Sequence, residues 1–292
     1  GIYSYLTSYG TMSAYYISDN EYRTGLLDST YRTAFELNQL LEFEMNDEDG
    51  YVSAPWQLVY KMVNAANNFI YNVEKLSESK FGQNRKTEIL AEAKFTRAFA
   101  HAFLLRRYGY FWDTNSDYGP IIRLEPSALS NNNQGRSSVK ESYEKIFEDL
   151  DYAIKYGPEF YSRYRGCATT AKAFKADLLM NRGAEGDYAE AIRLADEVIG
   201  SSEFGLEATY RDIFTNGYNS KELMFTRHLK SVPTMMANVG SLLKLFGGGT
   251  YKPSKLFLEI LTPKDKRYVV TLDSMVIGNG TLAKKAIVWK KH

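Results

Sequence analysis

Three histidines, His101, His228 and His292, are the first residues to test for chemistry. Metal-assisted hydrolysis needs two histidines on one helical face with a glutamate beside them, and no His-Glu-x-x-His run occurs. His101 falls inside an alanine-rich helical stretch and reads as a hydrogen-bonded core side chain. No Gly-x-Ser-x-Gly turn presents a serine nucleophile. The run Gly247-Gly248-Gly249-Thr250 lacks the lysine and the preceding strand of a phosphate-binding loop, so it reads as a flexible loop. The acidic turn Asn46-Asp47-Glu48-Asp49-Gly50 has too few spaced oxygens, and no closing glutamate, for a calcium loop. The single cysteine, Cys167, makes neither an internal disulfide nor a cysteine-based zinc site. No metal and no cofactor is implied. Two carboxylates at glycosidase separation could still be assembled by the fold, which keeps a helical glycoside hydrolase as the enzyme alternative.

Binding chemistry is better represented. The 292-residue chain carries 23 Tyr and 16 Phe but 3 Trp. Tyrosine joins a flat apolar face to a hydroxyl, which suits helix packing and also suits sugar rings. Sugars are held by aromatic platforms with Asn, Asp, Arg and Gln around them, on a largely pre-formed surface. The loop candidates are Tyr51 beside the acidic turn, Tyr110 and Trp112 after the alanine-rich helix, and Tyr218 with Asn216 and Asn219. Phe246 and Tyr251 flank the glycine run. Trp112 and Tyr218, set among polar residues, lead that set. Most of the remaining aromatics are expected to pack between helices.

The elements that must position these residues are helical. The stretch from Thr87 to Tyr108 places Ile89, Leu90, Ala93, Ala98, Ala102 and Leu105 at helical spacing, with Thr87 as expected cap and Gly109 as stop. Its small residues admit a close neighbour. A helix from Ser53 to Leu76 is expected to be capped by Ser53, with Pro55 in its first turn. Ser138 and Glu141 form a capping box before Val139, Tyr143, Ile146, Phe147, Leu150 and Ala153, and Gly157-Pro158 ends that helix. Thr169 or Thr170 opens the next, Gly183 stops it, and Asp187 with Glu190 reads as a second capping box for a helix ending at Gly200. The segment from Tyr143 to Ile154 echoes that from Tyr188 to Ile199, and an alanine-rich helix precedes each. Such helix pairs have the architecture of tetratricopeptide repeats, which stack because one pair alone cannot bury its apolar face. Ile2 to Tyr9 reads as a short helix. Tyr268, Val269, Val270, Leu272, Ile287 and Val288 mark two or three strands near the C-terminus.

Particular residues also resemble a known family. Glu92-Ala93, Arg97-Ala98, Leu105, Tyr108-Gly109 and Gly119-Pro120 have the look of the SusD/RagB family motif. Trp56, Tyr60 and Asn67 are similar to its first core helix, with Asn67 expected to be a buried polar residue bonded to a neighbouring turn. Phe204-Gly205-Leu206, Tyr210, Ile213-Phe214, Ser220, Glu222 and Met224-Phe225 resemble its next segment. Tyr251, Pro253-Ser254-Lys255, Leu258, Asp265 and Lys266-Arg267-Tyr268 resemble its later landmarks. The resemblance implies a mostly α fold, a SusD-like α-α superhelix of tetratricopeptide-like pairs with long irregular loops. It also implies a further helix pair beyond the last landmark, which this sequence does not include.

On that reading residues 1–292 form a single SusD-like domain, with a helical-repeat core at about 53–226 and a loop-rich, partly β segment at 227–292, shortened at its C-terminus. The implied function is non-catalytic capture of glycans or other nutrients on a Bacteroidetes cell surface. The implied setting is a lipid anchor in the outer membrane and a SusC-like TonB-dependent transporter as partner. The family builds its ligand surface from variable loops, so the resemblance assigns no ligand residue here. Charge is balanced at 36 Lys+Arg against 35 Asp+Glu, which removes a general attraction to nucleic acid or anionic membrane. No apolar run is long enough to span a bilayer, and Gly1 opens directly into Ile2-Tyr3-Ser4, with no leader peptide, so the anchor is expected to lie outside this sequence. A helical-repeat module that binds other proteins is the third reading.

Overall fold

The computed structural model describes residues 1–7, 24–29, 44, 46–48, 50–226, 251–277 and 284–289. The chain divides into two compact units. One comprises Gly1–Tyr5, Trp56–Leu206 and Lys221–Arg227, and the other Leu6–Pro55, Glu207–Ser220 and His228–His292.

The fold is mostly helical. Among the described residues five longer helices run in order: α1 Gly50–Glu74, α2 Arg85–Tyr108, α3 Val139–Tyr156, α4 Ala168–Arg182 and α5 Asp187–Ile199. Helix α2 packs on α3, α3 on α4 and α4 on α5, which is the expected stacking of pairs. Ala98 and Ala102 of α2 are fully buried and let α3 approach, where Val139, Tyr143, Ile146, Leu150 and Ala153 fill the interface. Leu178 and Leu179 of α4 and Ala191 and Leu194 of α5 continue the same core. Helix α1 joins through Ile70 and Val73, which pack with Leu90 and Ala93 of α2.

The second unit holds the short elements α6 (Tyr210–Thr215), α7 (Lys255–Ile260) and α8 (Tyr268–Thr271). Among its described residues it also holds two antiparallel strand pairs. Strand β1 (Leu27–Ser29) pairs with β2 (Tyr251–Pro253) in the register Ser29 to Tyr251, and β3 (Leu272–Ile277) with β4 (Lys284–Trp289) in the register Leu272 to Trp289. The expected C-terminal strands are therefore present from Leu272 onward, but Tyr268, Val269 and Val270 form a helical turn instead. Asp265, bonded to the Arg267 backbone N–H at 2.8 Å, turns the chain there. Ile2–Thr7 is a 3-10 helix, and Tyr9 lies outside the described residues.

Helix starts depart most from expectation. Helix α1 begins at Gly50, so Ser53 is not its cap and Pro55 is its sixth residue, where it supplies no N–H to the helical ladder. Helix α2 begins at Arg85, after Asn84 in the left-handed conformation (φ 60°), and Thr87 lies inside it. Cys167, not Thr169 or Thr170, caps α4, its sulfur accepting the Thr170 N–H at 3.4 Å. Asp187 is the first residue of α5, after Gly186, and its carboxylate accepts the Ala184 N–H and pairs with Arg182 rather than closing a capping box. Ser138 does cap α3, accepting the Glu141 N–H at 3.1 Å. Gly183 stops α4 at φ 60°, the left-handed conformation that glycine adopts without cost. Gly109 stops α2 in an extended conformation instead (φ −118°), and glycine is needed there because a Cβ would lie 2.9 Å from the Tyr118 carbonyl oxygen.

Candidate functional site

Three of the residues that carried the family resemblance, Tyr60, Asn67 and Arg97, hold the segment 121–125. Tyr60 Oη lies 3.1 Å from the Ile121 carbonyl oxygen, to which it donates, and accepts the Ile121 N–H at 2.9 Å. Asn67 Nδ2 donates to the carbonyls of Arg123 and Glu125 at 3.0 and 2.9 Å. Asn67 is thus buried and bonded to a neighbouring turn. Arg97 donates to Asp149 through Nε and Nη2 at 2.7 and 2.8 Å, and through Nη1 to Asn67 Oδ1 and the Leu124 carbonyl. His101 Nε2 accepts the Arg123 N–H at 3.3 Å. Burial, with the positive Arg97 nearby, lowers the His101 pKa to about 3, so the ring stays neutral and an acceptor.

Glu92 is equally committed. It receives Arg165 Nε at 2.6 Å and the Tyr3 hydroxyl at 3.2 Å. Glu92 and Asp149, the most deeply set carboxylates of α2 and α3, are each paired with a guanidinium, an arrangement that builds structure. Among the described residues no three His, Cys, Asp or Glu side chains gather as a metal site.

Above this lattice, residues 110–118 form an exposed aromatic surface. Tyr110 and Trp112 stack, with ring centroids 5.3 Å apart and planes at 20°, and Tyr118 closes on Tyr110 at 5.3 Å. All three stay open to solvent: Tyr110 is 51%, Trp112 63% and Tyr118 58% exposed. Their backbone is fixed. Tyr110 N–H bonds the Tyr118 carbonyl at 2.9 Å, and the Tyr143 hydroxyl bonds the Phe111 carbonyl at 3.0 Å. Asp113 Oδ1 accepts the Asn115 N–H, and Arg136 bridges the carbonyls of Tyr108 and Gly119 at 3.0 Å each. Gly119 N–H reaches the Ser137 carbonyl, and no side chain fits at Gly119, since a Cβ would lie 2.5 Å from Ser142 Oγ and 2.6 Å from Ser137 O. The result is a pre-formed, apolar, hydroxyl-rimmed face.

Tyr110 and Trp112 are thereby brought together, with Tyr118, which the sequence reading missed. Its signal was available: a loop opened by Gly109 and closed by Gly119-Pro120 folds back on itself and joins aromatics at its two ends. Tyr218, Asn216 and Asn219 lie in the other unit, on and beside the 3-10 turn Gly217–Asn219. Tyr218 is exposed and Asn216 Nδ2 donates to Glu207 at 3.0 Å. Tyr51 lies in the first turn of α1 and Tyr251 opens β2. Phe246 and the glycine run lie outside the described residues.

Comparison with known proteins agrees with this architecture. A family model described as starch-binding associating with the outer membrane matches residues 5–178. A SusD-like protein of Formosa agariphila is 28% identical over 200 residues, covering 66% of this chain and 37% of the relative. A SusD-like protein of Bacteroides ovatus is 28% identical over 198 residues, 64% and 34% of the two chains. This chain thus spans about a third of the length of the curated relatives it matches. Among solved structures, a SusD superfamily protein of Bacteroides thetaiotaomicron superposes with a TM-score of 0.80 at 21% identity, over 96% of this chain and 64% of that one. A structure determined with a xylogluco-oligosaccharide superposes at 0.73 and 23% identity, over 93% and 56%. These neighbours share the helical fold. With the family match covering more than half of the sequence, the chain belongs to the SusD-like family.

Proposed function

We propose that this chain is a non-catalytic glycan-binding protein of an outer-membrane uptake system. Its task is to capture oligosaccharides, which a TonB-dependent transporter of the SusC type then imports. It is held on the cell surface by a lipid anchor. No described helix is long and apolar enough to cross a membrane, which is compatible with attachment through such an anchor.

The observation that carries this reading is the stacked, exposed pair Tyr110 and Trp112 on a loop whose backbone is fixed at both ends. A rigid platform binds without first ordering itself, so little of the contact energy is lost on binding. Sugar rings present flat C–H faces that match it. Membership in a family described as starch-binding, and the neighbour solved with a xylogluco-oligosaccharide, point the same way.

The test is affinity electrophoresis against amylose and xyloglucan, with reducing-end release assayed in parallel. Retardation without release, lost in Trp112→Ala, is the expected result. Release of reducing ends would replace this reading with a glycoside hydrolase. No retardation by either glycan, with a stable complex to a polypeptide instead, would replace it with a protein-binding module.

A further inference from the structure

Two clefts flank Arg123, and they differ in charge. One, of about 410 Å³, is lined by Glu125 and Glu141 as well as by Arg123 and Lys145. The other, of about 370 Å³, lies between α1 and the segment 121–132 and includes Trp56, Tyr60, Lys61, Asn64 and Arg123 in its lining. Among the described residues no carboxylate lines this second cleft. Neither Lys61 nor Arg123 makes an ion pair with any described residue. The Arg123 guanidinium is positioned by the backbone alone, through the carbonyls of Asn131 (3.1 Å) and Asn132 (2.8 Å). A positive charge held by neutral dipoles keeps its attraction for an anion. Burial pushes the Tyr60 hydroxyl up to about 12, and the positive Arg123 and Arg136 partly offset that rise.

The remaining walls suit a sugar. Trp56 is half-buried and packs edge-on against Tyr60 and Tyr108, with centroids at 4.7 and 5.0 Å. Its partner Tyr108 leads directly into Gly109 and the platform residue Tyr110, so the cleft and the aromatic platform border the same stretch of chain. Asn64 Oδ1 accepts the Ser127 N–H at 2.9 Å and Asn68 Nδ2 at 3.1 Å, while its own Nδ2 donates to no described residue and remains a donor for a ligand oxygen.

We propose that this cleft takes the acidic unit of a charged glycan, through the oxyanion of a uronate carboxylate or of a sulfate ester. Lys61 and Arg123 meet the charge, and Trp56 meets the ring. This rests on the glycan-binding reading and names a ligand class for it.

The test is titration calorimetry of the whole chain with polygalacturonate, dextran sulfate and amylose at low and high salt. An acidic polymer should bind more tightly than amylose. Lys61→Gln should cut that preference roughly tenfold, the scale of one charge-assisted hydrogen bond. Lys264→Gln, an exposed lysine of the other unit, should not. Arg123→Lys should retain more of the preference than Arg123→Gln, and added salt should erode it. Tighter binding of polygalacturonate assigns a carboxylate and tighter binding of dextran sulfate assigns a sulfate. Equal affinity for all three polymers, or a preference that survives Lys61→Gln, overturns the inference and leaves neutral-glycan capture standing. Binding of none of the three overturns it as well, and the amylose and xyloglucan assay above then decides the broader reading on its own.

Discussion

Two adjoining stretches of one chain, 121–125 and 110–118, are fixed by a different balance of bonds. The first is gripped from below by side chains. Tyr60, Asn67, Arg97 and His101 each bond its backbone, and all four come from α1 and α2. The second is closed mainly by bonds within its own backbone, Tyr110 N–H to the Tyr118 carbonyl, Asp113 N–H to that of Tyr110 and Ser116 N–H to that of Asp113, and its rings face solvent. Side chains used as fasteners cannot also be offered to a ligand. Tyr60, Asn67 and Arg97, which carry part of the family resemblance, are such fasteners, whereas the rings of Tyr110, Trp112 and Tyr118 fasten no backbone.

That contrast can be broken most forcefully at Arg97. Arg97→Ala leaves the buried Asp149 with only the longer Lys94 contact at 3.7 Å and should cost about 3 kcal/mol or more in denaturant unfolding. A much smaller loss would mean that the lattice is not what holds 121–125. Next is Gly119→Ala, which drives a Cβ onto the Ser137 and Ser138 carbonyls and should cost about 1–3 kcal/mol by the same measurement.

His101 tests the same lattice through pH. In the unfolded chain the ring takes a proton near 6.5, whereas in the folded chain it resists protonation down to about 3. The stabilisation is complete above 6.5 and is lost as pH falls toward 3, at up to about 1.4 kcal/mol per unit. Unfolding of the native chain and of His101→Gln should therefore diverge in slope between those values. Parallel slopes would show that His101 titrates freely. The smallest effect on stability belongs to the other stretch. Trp112→Ala should change unfolding by no more than about 0.5 kcal/mol, as for an exposed side chain, while lowering glycan affinity. A large stability loss there would make Trp112 a fastener too, and would erase the distinction.

Much of the helical frame was legible because its signals are local. Ala98, Ala102, Tyr143, Ile146 and Leu150 repeat at helical period, and Ser138 and Gly183 cap as their chemistry dictates. The buried role of Asn67 was legible too, since a polar residue on an apolar face must find partners. What failed had a non-local or competing cause. Asp187 looked like half of a capping box, but Arg182 and the Ala184 N–H claim its carboxylate. Thr170 looked like a cap, but its N–H is bound by the sulfur of Cys167. Tyr118 joins Tyr110 only once the loop closes, and the cleft beside Lys61 needs α1 and the 121–132 segment folded against each other.

Cys167 has a further use. It is the sole thiol of the chain, only 3% exposed, and occupied by the first turn of α4. A thiol reagent can reach it only when that turn opens, so its labelling rate is a built-in clock for local opening of the helical core. A second cysteine introduced at an exposed platform position would react at once and alone, and would place a single dye beside the exposed aromatic face of 110–118 without any other change to the protein.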